Sequence, residues 1–476
     1  IVITNQTFYY VPYVDSSALE LELVNNTINV TSLPTRFDLR EWGWVSSVKN
    51  QGRMGSCWTF GMMGALESAL LEAYGIEFDL SEGNLFHNLL RYFGYGYLDE
   101  VEGGWPVFAS SYLVGWFGPA LESTDVYDEV GKLSPFLTSG YDVVHIQDVK
   151  FVSYTDRPDG TQLKTAILTY GSMEACYFAA STADGGYYNP ETFAHYVNES
   201  LSVNHAISVV GWDDNFSKDK FLVTPPGDGA WIIKNSWGTD FGDEGFLYIS
   251  YYDKTFVPRA DITREALAIV VENTVPYNKN YQHDFTWEAI FKNITELKGD
   301  NGTIAYMNGF VAADDDLIAA VGTYFNDSDV EYTVEIYVND ELKLVQQGVS
   351  PFKGFHTIKL NEYVPIKEGD YFYAVLTSNT MPVINCSNSR VHYSANQSFY
   401  YYNGEWIDLY STENNIACLK IYTVDDDSKV INNKDISVDY SGGSYFSVNV
   451  VTDDGHAVIA ASVKFTINGK TTTVVT

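Results

Sequence analysis

The sequence is poor in cysteine, in basic residues and in long apolar runs. Four cysteines in 476 residues are too few for a fold held by disulfides, so packed cores must stabilise the chain. Lys and Arg number 28 against 62 Asp and Glu, and the net charge of −34 argues against nucleic acid and anionic lipid as partners. No run of eighteen apolar residues occurs, so we expect no membrane span in this chain.

What the chain does contain is typical of folded domains rich in β-structure. Hydrophobic residues make up 45% of it and aromatic residues 15%, with 36 tyrosines and 37 glycines. Its length predicts two to four domains. Ten N-x-S/T triplets, from Asn5 to Asn396, favour an extracellular or cell-surface location. Because the chain begins with Ile1 and not Met, we expect any signal peptide to have been removed.

The first third of the sequence predicts helices after an extended start. Residues 1–32 have no helical period and read as an extended or pro-like arm. Residues 57–74 carry an apolar stripe that predicts a helix ending at Gly75. Residues 79–94 predict a second helix with Ser81 as its N-cap. From about residue 145 the pattern changes to short strands, so residues 33–270 are expected to form an α+β domain with two subdomains.

The remainder predicts β-structure only. Residues 275–424 hold strands separated by polar turns, as in a jelly-roll-type β-sandwich, and residues 425–436 read as a linker. Residues 437–476 predict a partial immunoglobulin-like module that includes a hairpin turn at Asn468–Gly469. Cys386 and Cys418 could form a disulfide in the sandwich or remain two free thiols, and the sequence leaves both readings open.

A cysteine at the beginning of the first long helix is placed for chemistry. The stretch NQGRMGSCWTFG puts Cys57 at a helix N-terminus, where a thiolate is stabilised and can act as a nucleophile. The backbone N–H of Cys57 and the side-chain amide of Gln51 could both donate to the oxyanion formed by attack on a carbonyl. Singly, each residue is also compatible with a structural role.

A base and its orienting group can be named further along. His205 begins an apolar strand, where a polar ring is unusual unless it has a function. Asn235 in WIIKNSWG could accept a hydrogen bond from that ring. Trp237 would shield the pair from water. A thiolate beside an imidazolium is the expected resting state, with a bell-shaped dependence of activity on pH.

Three ordered blocks, VKNQGRMGSCWTF, NHAISVVGW and IKNSWG, resemble the papain family of cysteine peptidases. The resemblance covers about residues 33–270. It implies that Cys57 is the nucleophile, His205 the base and then the acid, Asn235 the orienter and Gln51 the oxyanion donor. Gly103 and Gly104 resemble the glycine pair whose backbone holds an extended substrate, and Trp237 would border the substrate site.

The chain also departs from the family pattern. Met54 stands where the family usually has a cysteine, and Cys176 has no partner nearby, so the family's stapling disulfides are not expected. The long inhibitory propeptide of the family is not found in this sequence: either it has been removed, or residues 1–32 act as a shorter inhibitory segment. Residues 215–230, between the strands of His205 and Asn235, predict an enlarged loop near the cleft that restricts substrates.

The sandwich resembles the lectin-like domain that accompanies papain-type peptidases of anaerobic bacteria and methanogenic archaea. Its aromatics Tyr400, Tyr401, Tyr402 and Trp406 could stack on sugar rings but read better as residues of the sheet core. The runs Asp314–Asp316 and Asp425–Asp427 could bind calcium but read better as solvated loops, so no metal site and no cofactor are expected.

The function predicted from these blocks is a secreted or cell-surface cysteine endopeptidase that cuts polypeptides or cell-wall peptides through a thioester. β-Sandwich modules would tether it, and the sandwich could take a glycan ligand. The alternative is an adhesin whose papain-like part is a scaffold without turnover. Against that alternative, all four catalytic positions hold competent residues.

Overall fold

The computed structural model describes residues 10–12, 32–89, 103–129, 134, 144–180, 186–258, 265–271, 277–284, 290–291, 302–387, 393–426, 429–431, 449–452, 455–467 and 470–475. Several expectations fall outside these residues. They are most of the N-terminal arm, the end of the second helix after Leu89, the turn at Asn468–Gly469, and Asp427.

The described residues form six α-helices, of which the sequence predicts the second and the third; the sixth lies in the region for which only strands are predicted. The helices are α1 (Leu39–Trp42), α2 (Cys57–Tyr74), α3 (Glu82–Leu89), α4 (Pro106–Val114), α5 (Thr161–Tyr170) and α6 (Leu409–Glu413). Gly75 ends α2 in the left-handed region, and its N–H donates to the carbonyl oxygen of Leu71. The hydroxyl oxygen of Ser81 accepts from the N–H of Asn84, as predicted for the N-cap of α3.

A strand of the N-terminal arm, β1 (Tyr10–Pro12), pairs with Lys279–Tyr281 of the second domain. The strands of the first domain are β2 (Arg36–Asp38), β3 (Val149–Val152), β4 (Met173–Tyr177), β5 (Tyr188–Asn189), β6 (Ala194–His195), β7 (His205–Asp213), β8 (Ala230–Lys234), β9 (Phe246–Ser250) and β10 (Ala266–Ile269). β4, β7, β8 and β9 form an antiparallel stretch of sheet, and α2 packs across β7 and β4. The predicted α+β architecture is confirmed.

The second domain is all β apart from α6. Its strands are β11 (Lys279–Tyr281), β12 (Ile290–Phe291), β13 (Ile304–Val311), β14 (Asp316–Phe325), β15 (Glu331–Val338), β16 (Glu341–Val349), β17 (Gly354–Ile366), β18 (Tyr371–Ser378), β19 (Pro382–Asn385), β20 (Ser398–Tyr402), β21 (Glu405–Asp408), β22 (Asn415–Ala417) and β23 (Leu419–Asp425). A six-stranded sheet, ordered β16-β15-β18-β13-β20-β21, packs against β14, β17 and β23 over one core.

The two domains share one sheet. Lys150 of β3 pairs with Gly354 of β17, so the strands run without a break from the catalytic domain into the sandwich. Only glycine fits at 354, because a Cβ there would lie 2.0 Å from the carbonyl oxygen of Val149. Beside this seam, Asp148 lies 2.7 Å from the ring of His356. The sandwich is therefore packed onto the first domain and not only linked to it.

Side chains of β11 and its flank hold the C-terminal end of α4. Nδ2 of Asn280 donates to the carbonyl oxygen of Val114, and Nε2 of Gln282 donates to that of Gly115 at 2.7 Å. Oε1 of Gln282 accepts from the Lys420 ammonium at 2.6 Å. These residues satisfy carbonyls that a helix end leaves free.

None of the four cysteines, all of which lie in the described part of the chain, is in a disulfide. In the sandwich, Ile384 pairs with Ile416 and Val383 with Ala417. This register places Cys386 opposite Asn414 and Cys418 opposite Pro382. The two cysteines therefore lie four residues apart along the ladder. That separation excludes the disulfide that the sequence left open.

The C-terminal region holds two short hairpins. They are β24 (Lys429–Ile431) with β25 (Asn449–Val451), and β26 (Ser462–Ile467) with β27 (Lys470–Val475). β24 lies inside the predicted linker, and the predicted immunoglobulin-like module is not confirmed. Val450, Val458 and Val463 join a core with sandwich residues, so this region packs on the second domain. Among the described residues, no helix is long and apolar enough to cross a bilayer.

We predict that Gln282→Ala weakens the union of the two domains. The change strips one partner from the buried Lys420 ammonium and from the carbonyl oxygen of Gly115, which should cost about 2 kcal/mol or more. Urea unfolding followed by fluorescence and by circular dichroism should show lower stability and a split between the two probes.

A matched control is Gln346→Ala. This buried glutamine also makes two hydrogen bonds, to Lys359 and Asn361, but lies within the sandwich. It should lower stability and keep a single transition. An unchanged single transition in Gln282→Ala would contradict the role given to this contact.

Candidate active site

Cys57 is the first residue of α2 and contacts the start of β7. Two close approaches of the helix to the sheet, at Gly61 and Gly64, hold it there. A Cβ on Gly61 would lie 3.2 Å from the backbone nitrogen of Ile207, and one on Gly64 would lie 2.8 Å from the hydroxyl of Ser208. The backbone at Ala206, the residue after His205, lowers the pKa of the Cys57 thiol, as expected for an N–H near the sulfur. The helix tip is thus brought to the predicted base.

His205 is held from its far side by Asn235. Its Nε2 lies 2.7 Å from Oδ1 of Asn235, and the same Oδ1 accepts from the N–H of Ser236 at 2.9 Å. Because Oδ1 is an acceptor, Nε2 carries the proton and Nδ1 is left to act as a base. Trp237 stacks on the ring with centroids 4.6 Å apart, as the sequence analysis predicts.

Burial acts on the charges of both groups. It raises the pKa of the Cys57 thiol to about 11, although backbone N–H groups oppose the rise. It lowers the pKa of His205 to about 4, against the effect of the hydrogen bond that the ring donates to Asn235. Each group taken alone is therefore favoured in its uncharged form. The expected thiolate–imidazolium pair stays a prediction that these two shifts do not support.

Gln51 keeps one side-chain N–H available to a ligand. Its Oε1 accepts from the hydroxyl of Ser236 at 2.7 Å, and its Nε2 donates to the carbonyl oxygen of Met54 at 3.0 Å. An amide nitrogen carries two hydrogens, so a second N–H remains for a ligand. The backbone N–H of Gln51 also donates to the carbonyl oxygen of Ser236.

Two residues that support this geometry were missed by sequence reasoning. Ser236 orients Gln51, and its position inside the quoted KNSWG block was a usable signal. Tyr127 donates to the carbonyl oxygen of Gln51 at 2.7 Å and accepts from the Ser56 hydroxyl at 2.8 Å. It lies seventy residues after Cys57, in a segment with no recognisable pattern, so only the fold reveals it.

The predicted glycine pair lies just before α4. A Cβ on Gly104 would lie 2.4 Å from the Trp58 ring, so glycine is required there. Gly103 has no heavy atom within 4 Å of its Cβ position and is open to a ligand. The substrate-binding role that the resemblance implies for this pair stays a prediction.

The enlarged loop is not near the cleft, contrary to the sequence analysis. β7 and β8 are antiparallel, with Ser208 opposite Lys234 and Asp213 opposite Ala230. His205 and Asn235 lie at one end of this ladder, and the loop leaves from the other end, about 26 Å away at about 3.3 Å per residue. It cannot restrict substrates as expected.

The aromatic candidates of the sandwich separate into two groups. Tyr400 is buried in the core, whereas Tyr401 is 45% exposed and contacts Trp406 edge to face. Tyr402 packs partly buried against the core. Of these four residues, only Tyr401 and Trp406 could therefore stack on a sugar ring.

The aspartate run 314–316 is paired with lysines. Lys279 lies 2.8 Å from Asp316, and Lys367 lies 2.9 Å from Asp315. Among the residues that the structure describes, no group of three or more His, Cys, Asp or Glu side chains is arranged to hold a metal ion.

Comparison with known proteins gives two family matches. The model described as papain family cysteine protease matches residues 33–270, and the lectin-like domain model matches residues 281–423. Cathepsin K of Mus musculus is 31% identical over 220 residues, 46% of this chain and 60% of its own length. Cysteine proteinase 2 of Zea mays is 32% identical over 222 residues, 45% of this chain and 55% of its own length. The chain thus spans little more than half the length of these relatives.

Two solved structures cover most of the chain. The clostridial cysteine protease Cwp84 after propeptide cleavage is 24% identical, with a TM-score of 0.69 over 82% of this chain and 99% of that chain. The cysteine protease and lectin-like domains of Cwp84, a surface-layer-associated protein of Clostridium difficile, are 23% identical, with a TM-score of 0.70 over 89% and 100%. At these identities the likeness shows a shared fold.

The predicted order of a papain-like domain and a lectin-like sandwich is thereby confirmed. The papain model matches half of the chain, and the three sequence blocks within that half meet in one site. The chain belongs to the papain family of cysteine proteases.

Proposed function

We propose that this protein is a cysteine endopeptidase in which Cys57 is the nucleophile and His205 the general base and acid. The observation that carries the proposal is the Asn235–His205 hydrogen bond of 2.7 Å, made by the residue next to Ala206, whose backbone acts on the Cys57 thiol. This bond uses Nε2 of the ring, so Nδ1 is left to take the thiol proton. Family membership supports the same reaction class.

The steps follow from these positions. The Cys57 proton passes to Nδ1 of His205 as the sulfur attacks the peptide carbonyl, and the oxyanion is bound by the backbone N–H of Cys57 and by Nε2 of Gln51. The imidazolium then gives its proton to the leaving amine, and a thioester remains. His205 next takes a proton from water, which attacks the thioester, and the returning proton restores the thiol.

The substrate is a polypeptide or a cell-wall peptide that lies extended along Gly103. Open backbone at this glycine supports strand-like pairing with a substrate main chain. Trp237, stacked on His205, would border the leaving side of the cleft.

The protein acts outside the cell or at its surface, with the lectin-like sandwich as a tether that could take a glycan. Cwp84, which shares the order of domains, is a surface-layer-associated protein. The N-x-S/T triplets and the net charge of −34 are compatible with this location. The exposed Tyr401 and the partly buried Trp406 are the residues to which a sugar ring could bind.

We expect an epoxide inhibitor of papain-type enzymes to label the protein once, at Cys57. Labelling and peptide hydrolysis should both disappear in Cys57→Ala, because no other described cysteine lies beside a histidine held by an amide. Mass spectrometry of the intact protein measures the label. Cys176→Ala serves as the control and should keep both properties. A folded wild type that takes up no label under reducing conditions would favour the adhesin alternative.

We expect Gln51→Ala to lower kcat by about 10²–10³-fold with little change in KM, because the lost N–H acts on the oxyanion and not on the bound substrate. Steady-state kinetics on a chromogenic peptide measure the split. Ser236→Ala should cause a smaller loss, since it only frees the Gln51 amide to rotate. A rise in KM with unchanged kcat would contradict the oxyanion role.

Activity should follow a broad bell-shaped pH profile. The active form of the pair holds one proton, whether on sulfur or on nitrogen. Since the pKa of His205 is lowered to about 4, that form gains a second proton only below about pH 4. Since the pKa of Cys57 is raised to about 11, the proton is lost only towards pH 11. The profile of kcat/KM measures both limbs, and a profile that only rises up to pH 9 would point to an unactivated thiol.

A further inference from the structure

A buried carboxyl lies beneath the first turns of α2, and the mechanism above gives it no role. Glu174 of β4 is fully buried, and neither of its carboxylate oxygens has a hydrogen-bond partner among the described residues. Its Cγ lies 3.3 Å from the Cβ position of Gly61, one helical turn after Cys57. An unpaired polar group in a dry interior destabilises the fold, so its presence there needs an explanation.

Glu174 faces the helix that carries the nucleophile. It begins a row of cross-strand neighbours, in which Ser208 of β7 lies beside it and Lys234 of β8 lies beside Ser208. On its other side β10 presents the apolar Leu267. Of the titratable groups, α2 offers Cys57 at its tip and Glu67 beyond Gly64, and β8 offers Lys234. No cation therefore lies next to Glu174 among these groups.

Two cavities lie near Glu174, which lines neither of them. The inner one touches Gly61 and Ser208, the two residues that Glu174 adjoins, and leaves about 10 Å³ for the centre of a water molecule, enough for about one water. The outer one has a volume of about 570 Å³. They share four wall residues, which are Lys49, Phe60, Glu67 and Glu82. The carboxyl therefore lies one residue away from a space of the size of a water molecule.

The charge of Glu174 acts on the nucleophile. Burial raises the pKa of Glu174 well above its ordinary value, so the carboxyl holds its proton under mildly acidic conditions. For the Cys57 thiol, burial is the largest influence that raises the pKa, and the charge of Glu174 is a further one in the same direction. A second negative charge near the sulfur opposes the first.

We propose that Glu174 is a positioning residue that acts through Cys57: when it loses its proton, the negative charge under α2 opposes formation of the Cys57 thiolate. The nucleophile is thereby confined to conditions in which the carboxyl is neutral. This inference rests on the proposed role of Cys57. It accounts for an unpaired carboxyl in the interior, which an apolar residue would replace at a gain in stability.

The experiment measures alkylation of Cys57 by iodoacetamide between pH 5 and pH 10, in wild type and in Glu174→Gln. Glutamine has the shape of the neutral acid, so both proteins should react within about twofold of each other at pH 5. The ratio of variant to wild type should then grow to about tenfold at alkaline pH, as expected for a unit charge acting over several ångströms. Glu174→Met should show the same growth and a higher melting temperature.

Glu72→Gln is the matched control. Glu72 lies in the same helix about 22 Å from Cys57, and burial raises its pKa to about 7, so its removal should leave the ratio near one throughout. Cys57→Ala gives the background from the other thiols. The inference would be overturned if the ratio of variant to wild-type alkylation rate stayed constant with pH in both Glu174 variants. It would also be overturned if that ratio grew equally with pH in Glu72→Gln. Peptide hydrolysis that survives in Cys57→Ala would instead overturn the proposed function, because alkylation needs no substrate.

Discussion

The antiparallel pairing of β7 with β8 is the constraint on which the site depends. His205 begins β7 and Asn235 follows the last residue of β8, so the register of this ladder decides that the ring and the amide meet. A shift by one residue would turn one of the two side chains to the opposite face of the sheet. The glycines of α2 then let the helix lie close enough for Cys57 to reach the same end. The loop that joins the two strands leaves from the other end of the same ladder, away from the catalytic residues.

Burial gives the site its chemical character. A dry environment strengthens the Asn235–His205 hydrogen bond and favours a neutral thiol and a neutral imidazole when each is considered alone. Attack on a carbonyl can still proceed, because moving one proton from sulfur to nitrogen leaves the total charge of the pair unchanged. An added charge nearby, such as that of Glu174, then has a large effect, since little water is present to screen it.

The sandwich is part of the framework of the catalytic domain. Pairing of β3 with β17 continues the sheet, and Asn280 and Gln282 hold the C-terminal end of α4. The N-terminal end of the same helix follows the glycine pair of the substrate site. One short helix therefore joins the contact with the lectin-like domain to the place where a substrate backbone would lie.

The sequence by itself determined the elements and the chemistry that they carry. Periodicity placed α2, glycine ended it, and ordered motifs named Cys57, His205, Asn235 and Gln51, because these signals depend on neighbours close along the chain. Tertiary structure decided what depends on distant partners. It added Tyr127 and Ser236 as supports, kept Cys386 and Cys418 apart, moved the long loop away from the cleft and merged two domains in one sheet. Strand register and burial arise only when segments hundreds of residues apart pack together, so they cannot be predicted from a local sequence pattern.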